Sequence, residues 1–205
     1  MDMEKKLMKI FIGSKNKDKI KEIKEILKEY EILSLNDFPN APDVIEDKDT
    51  IEGNAIKKAI ENAQYTGLLT AADDTGLFVR ALDNKPGVYS ARYAGEKCSY
   101  QDNRQKMLRE MDGKEDRYAE FRTVVAIADK TGIIAIAQGI VPGEITREEM
   151  GDSGFGYDPI FKLTETGKTY AQMSNEEKNK LSHRAKAFFL IKEHIKKYYE
   201  TSKER

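Results

Sequence analysis

The stretch YAEFRTVVAIADKTGIIAIAQGIV, residues 118 to 141, constrains the fold more than any other part of the chain. Two runs rich in apolar and β-branched residues flank a turn signal at Asp129 to Gly132, so the segment reads as two strands joined by a tight turn. LMKIFIG (7–13) reads as a buried strand, and KDKIKEIKEILKEY after it places Ile20, Ile23, Ile26, Leu27 and Tyr30 at helical spacing. A second helix is expected from about residue 50 to 65, with Asp49 as N-cap, Glu52 three residues on, an Ile51, Ala55, Ala59, Ala63 stripe and Gly67 as its stop. SYQDNRQKMLREMDG reads as another helix. Ser174 with Glu177 makes a capping box for a long charged C-terminal helix or helix pair, after which KKYYETSKER trails off as a polar tail. Helices alternating with strands, plus the internal hairpin, indicate an α/β fold with a mixed sheet.

Two hundred and five residues suit one domain or two closely packed lobes. Charged residues make up 35% of the chain while the net charge is only -1, which argues against a nucleic-acid binder. Cys98 has no cysteine partner, and with only His183 and His194 beside it the chain falls short of a structural zinc site; a reducing cytoplasm fits this usage. Apolar stretches such as IIAIA are too short to span a bilayer, so no membrane role is expected.

Four segments carry candidate chemistry. LLTAADDTGLFV (68–79) sets Asp73 and Asp74 side by side at what reads as a strand end, a repulsive arrangement that a divalent cation would relieve. Side chains alternate along a strand, so one carboxylate is expected to face a cleft and the other to brace the turn. Hard oxygen ligands suit Mg²⁺, with Glu46 or Asp47 as candidates for the second ligand; a plain Asp-Thr-Gly turn is the other reading. GSKNKDK (13–19) places Ser14, Asn16 and Lys19 beside helix N–H groups, either as an anion cradle or as ordinary capping. It lacks both the P-loop and the dinucleotide-binding fingerprint. GDSGFGYDPIF (151–161) either exposes Phe155 and Tyr157 for a planar base or plugs a core edge with them, and Asp158 is either a ring N–H acceptor or a turn residue before Pro159. In NEEKNKLSHRAKAF (175–188) an unbroken helix would set His183 about 140° around from Lys178, so Ser182 restarts a helix or the two face different groups.

Taken in order, IFIGSKNKDKIKEI, EGNAIKKA, AADDTGLFVRALDNKPGVYSARYAG, SGFGYDPIF and YAQMSNEEKNKLSHRAKA resemble the Ham1-type inosine/xanthosine triphosphate pyrophosphatases, nearly end to end. The resemblance implies a two-lobed α/β fold around a long curved mixed sheet, with residues 1–199 as one catalytic domain and 200–205 as a polar tail. It implies a homodimer with Mg²⁺ and a purine nucleoside triphosphate in the cleft between lobes. By likeness, Asp74 binds metal and activates water, with Glu46 as the other metal ligand. Ser14, Asn16 and Lys19 match the triphosphate loop, Thr75 a substrate contact and Lys58 a basic residue facing the phosphates. Phe155, Gly156, Tyr157 and Asp158, with Lys178, His183 and Arg184, match the base pocket, the last three as donors to a 6-oxo group. The implied reaction converts ITP, dITP or XTP to the monophosphate and pyrophosphate. Alternatives are a Maf-like pyrophosphatase of other base preference and a non-catalytic nucleotide-binding module. The family loop usually begins Thr-Gly-Asn; here Lys15 replaces the glycine, which would be strained if that position needs positive φ.

Overall fold

Ile10, Phe11 and Ile12 are fully buried in a first strand, β1 (Lys9–Ile12), because parallel strands flank it on both edges. The computed structural model describes residues 8–203; Leu7 of the expected first strand, and Glu204 and Arg205 of the expected tail, lie outside the described residues. Helix α1 (Lys17–Ile26) buries Ile20, Ile23 and Ile26 and stops earlier than its periodicity indicates, at Leu27. The chain then forms β2 (Glu31–Ser34), a short strand that the continuing apolar pattern through Tyr30 concealed.

Helix α2 (Ile51–Thr66) ends at Gly67 in the left-handed conformation, as expected, but its N-cap is Thr50 rather than Asp49: Thr50 Oγ1 accepts from Gly53 N at 3.0 Å. The Ala55, Ala59, Ala63 stripe is fully buried against the sheet. Next come β3 (Thr70–Val79), β4 (Lys85–Gly87), α3 (Tyr100–Glu110), and the hairpin of β5 (Tyr118–Asp129) and β6 (Gly132–Ile145). The expected turn connects the hairpin strands. After β7 (Phe161–Leu163) the chain ends in a helix pair, α4 (Asn175–Leu181) and α5 (His183–Lys203). The Ser174–Glu177 capping box opens α4, and extended Ser182 breaks the pair and caps α5 through Ala185 N. Helix α5 continues through residues 200–203, where the polar sequence contains neither Gly nor Pro to stop it.

The seven strands make one mixed, curled sheet in the order β2-β1-β3-β5-β6-β7, with β4 on the free edge of β3. Helices α1 and α5 cover one face and α2 the other, giving two apolar clusters. A third, around Leu77, Met107, Phe121, Ile145 and Phe161, forms the second lobe at the far ends of β3, β5 and β6. The sheet has to let α5 begin close to β6, and Gly139 does this: a Cβ there would lie 2.0 Å from the His183 carbonyl oxygen. No helix among the described residues is long and apolar enough to cross a membrane.

Candidate active site

The carboxylate pair lies in the middle of β3, not at its end. Strand β1 pairs with β3 only as far as Ala71, so Asp73 and Asp74 stand just past the carboxyl end of β1, where parallel sheets open a crevice. Antiparallel β5 runs alongside both residues and keeps this part of β3 straight and buried. Alternation then sends the two side chains to opposite faces, Asp73 toward α1 and α5, Asp74 toward α2. Asp74 faces the cleft, as expected of one member of the pair. Asp73 braces cations rather than a turn.

The fourteen residues that the resemblance assigns to the site line one cavity of about 360 Å³, a size suited to a small-molecule ligand, while the other two acidic candidates, Asp73 and Asp47, do not line it. On the α2 wall, Lys58 Nζ lies 2.6 Å from Glu46 Oε1, 3.6 Å from Asp74 Oδ1 and 2.8 Å from the Asp73 carbonyl oxygen. Asp74 also accepts from Asn54 Nδ2 at 3.2 Å and from Thr75 N at 3.0 Å. Burial raises the Asp74 carboxyl above its ordinary range; Lys58 and Lys19 oppose the shift and Glu46 adds to it. Burial works against the charge on Lys58, but Asp74, Glu46 and Asp73 outweigh it and hold the ammonium protonated.

Among the described residues no three His, Cys, Asp or Glu side chains converge as a metal cage. Glu46 and Asp74 converge instead on a cation, the Lys58 ammonium, so the donor set already accommodates positive charge between two hard oxygen ligands. Such a pair suits an ion that keeps waters and completes its shell with phosphate oxygens, as Mg²⁺ does.

The first loop contributes a second wall, and the capping reading of it holds. Asn16 caps α1, its Oδ1 accepting from Asp18 N and Lys19 N, while Ser14 Oγ accepts from Asn16 N at 3.2 Å and keeps its own proton to donate. Lys15 does not have positive φ, so it carries no strain in place of glycine, and its ammonium pairs with Asp43.

The third wall holds alternating buried charge. Asp73 Oδ2 meets Lys19 Nζ at 3.0 Å and Arg184 Nε at 3.3 Å. Burial opposes ionisation of Asp73, but Lys19 and Arg184 overcome it and hold the carboxyl far below its usual range. Glu22 pairs with Arg184 Nη1 and, at 2.7 Å, with Lys178; against the opposing effect of burial these cations keep its carboxyl low. Asp158 accepts from Lys178 at 2.5 Å and from Phe155 N at 2.8 Å, yet burial leaves its carboxyl raised. Lys178 thus commits two of its three ammonium protons to carboxylates, and Arg184 gives an N–H each to Asp73, Glu22 and Thr75, so only the remaining N–H groups can serve a ligand.

Phe155 stands over this wall, with Lys178 Nζ 4.6 Å and Tyr100 5.9 Å from its ring centroid. Tyr157 reaches the cavity but belongs mainly to the second-lobe core, donating to the Ser90 carbonyl at 2.9 Å, so the core-plug reading holds for that ring. His183 stacks on Phe121 at 4.5 Å, and its Nδ1 is 2.6 Å from Thr123 Oγ1.

Sequence reasoning missed Glu22, Asn54, Tyr100 and Thr123. Glu22 and Lys19 carried the one available signal: with 100° per residue, Lys19 falls inside the apolar arc of α1 and Glu22 about 40° from Ile26.

The Ham1 family model matches residues 10–194. The chain is 48% identical over 185 residues to a dITP/XTP pyrophosphatase of Desulfotalea psychrophila, covering 89% of this chain and 83% of that one. It superposes on the Staphylococcus aureus Ham1 protein with TM-score 0.83 at 38% identity, covering 93% and 99% of the two chains. A HAM1 protein from Coxiella burnetii gives TM-score 0.84 at 36% identity, covering 93% and 100%. With a family match across most of its length, these relatives and a shared two-lobed architecture, the chain belongs to the Ham1 family.

Proposed function

We propose that this protein hydrolyses ITP, dITP and XTP to the nucleoside monophosphate and pyrophosphate, clearing altered purines from the nucleotide pool. One observation carries the reading: a single cavity joins a cation-sharing carboxylate pair, a loop of donors at a helix start and an aromatic wall backed by ionic groups. Relatives named dITP/XTP pyrophosphatase support the same activity.

In this reading Glu46 and Asp74 would hold Mg²⁺, which when bound would offset the charge on the phosphate oxygens and so favour attack at phosphorus. Asp74 orients a water and takes its proton. The water oxygen bonds to the α-phosphorus, the bond to the bridging oxygen breaks, and pyrophosphate departs with that electron pair. Lys58, Lys19 and the Ser14 hydroxyl offset charge on the leaving group. Asn16 contributes by fixing the loop on α1. Thr75 N–H holds the Asp74 carboxylate in place. Phe155 stacks on the base, and Gly156, Tyr157, Asp158, Lys178, His183 and Arg184 shape and read its edge. Residues 1–199 act as one catalytic domain, since β3, β5 and β6 serve both lobes. The enzyme works in the cytoplasm as a homodimer, without nucleic-acid or membrane partners; exposed Ile136 and Ile140 on β6 offer apolar surface for the dimer.

Hydrolysis of ITP in ¹⁸O-water tests the reaction. Label in the monophosphate with unlabelled pyrophosphate fits attack at the α-phosphorus. Label in pyrophosphate, or release of inorganic phosphate, contradicts it.

A further inference from the structure

Thr123 on β5 is fully buried, yet its hydroxyl joins two residues that line the cavity. Thr123 Oγ1 is 2.7 Å from Thr75 Oγ1, its direct cross-strand partner, and 2.6 Å from His183 Nδ1. Thr75 Oγ1 lies 3.4 Å from Asp73 Oδ2 and accepts from Arg184 Nη2 at 3.3 Å. Asp73, Thr75, Thr123 and His183 therefore form one chain of three contacts.

Each contact needs one proton between its two heavy atoms. Asp73, whose Oδ2 is ion-paired with both Lys19 and Arg184, supplies none, and each threonine supplies one. The third has to come from the imidazole. If Nδ1 is protonated, Nδ1–H donates to Thr123, Thr123 to Thr75, and Thr75 to Asp73, and every contact is satisfied. With the proton on Nε2, the hydroxyls point the other way and Thr75 turns a lone pair toward a buried carboxylate, a costly mismatch. Burial keeps the ring neutral, so only one nitrogen carries a proton.

We infer that Thr123 is a positioning residue that fixes His183 as the Nδ1–H tautomer and leaves Nε2 as a hydrogen-bond acceptor for the ligand in the cavity. Resting on the purine reading of this site, the inference reverses the donor role expected of His183. A 6-oxopurine carries N1–H, which a bare Nε2 accepts; adenine presents a bare N1, which it repels. Thr123 thereby contributes to base selection without touching the base.

The chain has two histidines, and His194→Gln leaves one ring to assign in a long-range ¹H–¹⁵N spectrum at mildly alkaline pH. The expected spectrum shows a protonated Nδ1 and a bare Nε2 for His183. Thr123→Val should move the proton to Nε2 and lower the ratio of kcat/KM for ITP over ATP about tenfold, the effect of one mispaired buried group. Thr123→Ser should preserve both. Protonated Nε2 in the parent chain, or an unchanged tautomer in Thr123→Val, overturns the inference, and the parent spectrum decides alone if the valine variant does not fold. A shifted tautomer with unchanged selectivity overturns the role in base selection. The predicted spectrum in a protein inert toward ITP supports the tautomer lock while rejecting the pyrophosphatase reading.

Discussion

Asp73→Asn and Asp74→Asn, one residue apart on β3, should have opposite consequences. The Asp73 side chain is fully buried against Lys19 and Arg184, and Lys19 has no other ion pair among the described residues. Removing a buried partner from a charge costs about 3–5 kcal/mol. Lys19 is 17% exposed and Arg184 retains Glu22, which places Asp73→Asn near the lower end, about 3 kcal/mol. With a urea dependence of about 2–3 kcal/mol per molar, the unfolding midpoint falls by roughly 1 M or more. At Asp74, burial already disfavours the charged form, and an Asn oxygen can still accept from Thr75 N–H. That variant should stay within about 1 kcal/mol of the parent, the scale of one hydrogen bond. Its turnover, in contrast, should fall by about 10²–10⁴, the contribution of a lost general base. Urea unfolding followed by circular dichroism, with pyrophosphate release measured on the same samples, separates the two. An Asp73→Asn midpoint equal to the parent's, or a larger stability loss in Asp74→Asn, would refute the division of labour.

Phe155→Ala should raise KM for ITP about tenfold with little change in kcat, from the loss of stacking worth roughly 1–3 kcal/mol; steady-state kinetics with an unchanged KM would make the ring structural. Burial holds the His183 pKa well below that of the unfolded chain, so only the unfolded state takes up this proton as pH falls below about 6.5. Stability should therefore drop on acidification by up to about 1.4 kcal/mol per pH unit, and urea midpoints across pH should lose that component in His183→Gln. Asp73 and Glu22, with depressed pKa values, add stability above the ordinary carboxylate range near pH 4 that is lost as pH falls further. Chelation with EDTA should abolish turnover and leave the unfolding midpoint nearly unchanged, because the Lys58 ammonium already balances Glu46 and Asp74; a large drop in the midpoint would show a structural metal.

The hairpin, the alanine stripe of α2 and the Ser174 capping box were legible because each is specified by local pattern. Strand β2 was not, since its four residues, EILS, gain their state only by pairing with β1. The site divides along the same line. Asp74, Ser14 and Phe155 stand in motifs of unusual local chemistry. Glu22 sits in KDKIKEIKEI at the rim of the α1 apolar arc, a faint local signal that gains its meaning only when α4 and α5 bring Lys178 and Arg184 onto it. Thr123 looks like any β-branched strand residue, and its meaning comes from register: pairing with Thr75 places it under the start of α5. Positions defined by long-range pairing leave little local trace, which is why Asp73 reads as a turn brace in the sequence although it belongs to a buried ion network.

The most direct test of the account is kcat/KM for pyrophosphate release from ITP, dITP and XTP against GTP, ATP and dTTP, each with and without Mg²⁺. Fast, metal-dependent cleavage of the first three and weak cleavage of the rest are expected. Equal cleavage of ATP would contradict the base-reading wall, and no cleavage of any of them would contradict catalysis by Asp74 itself.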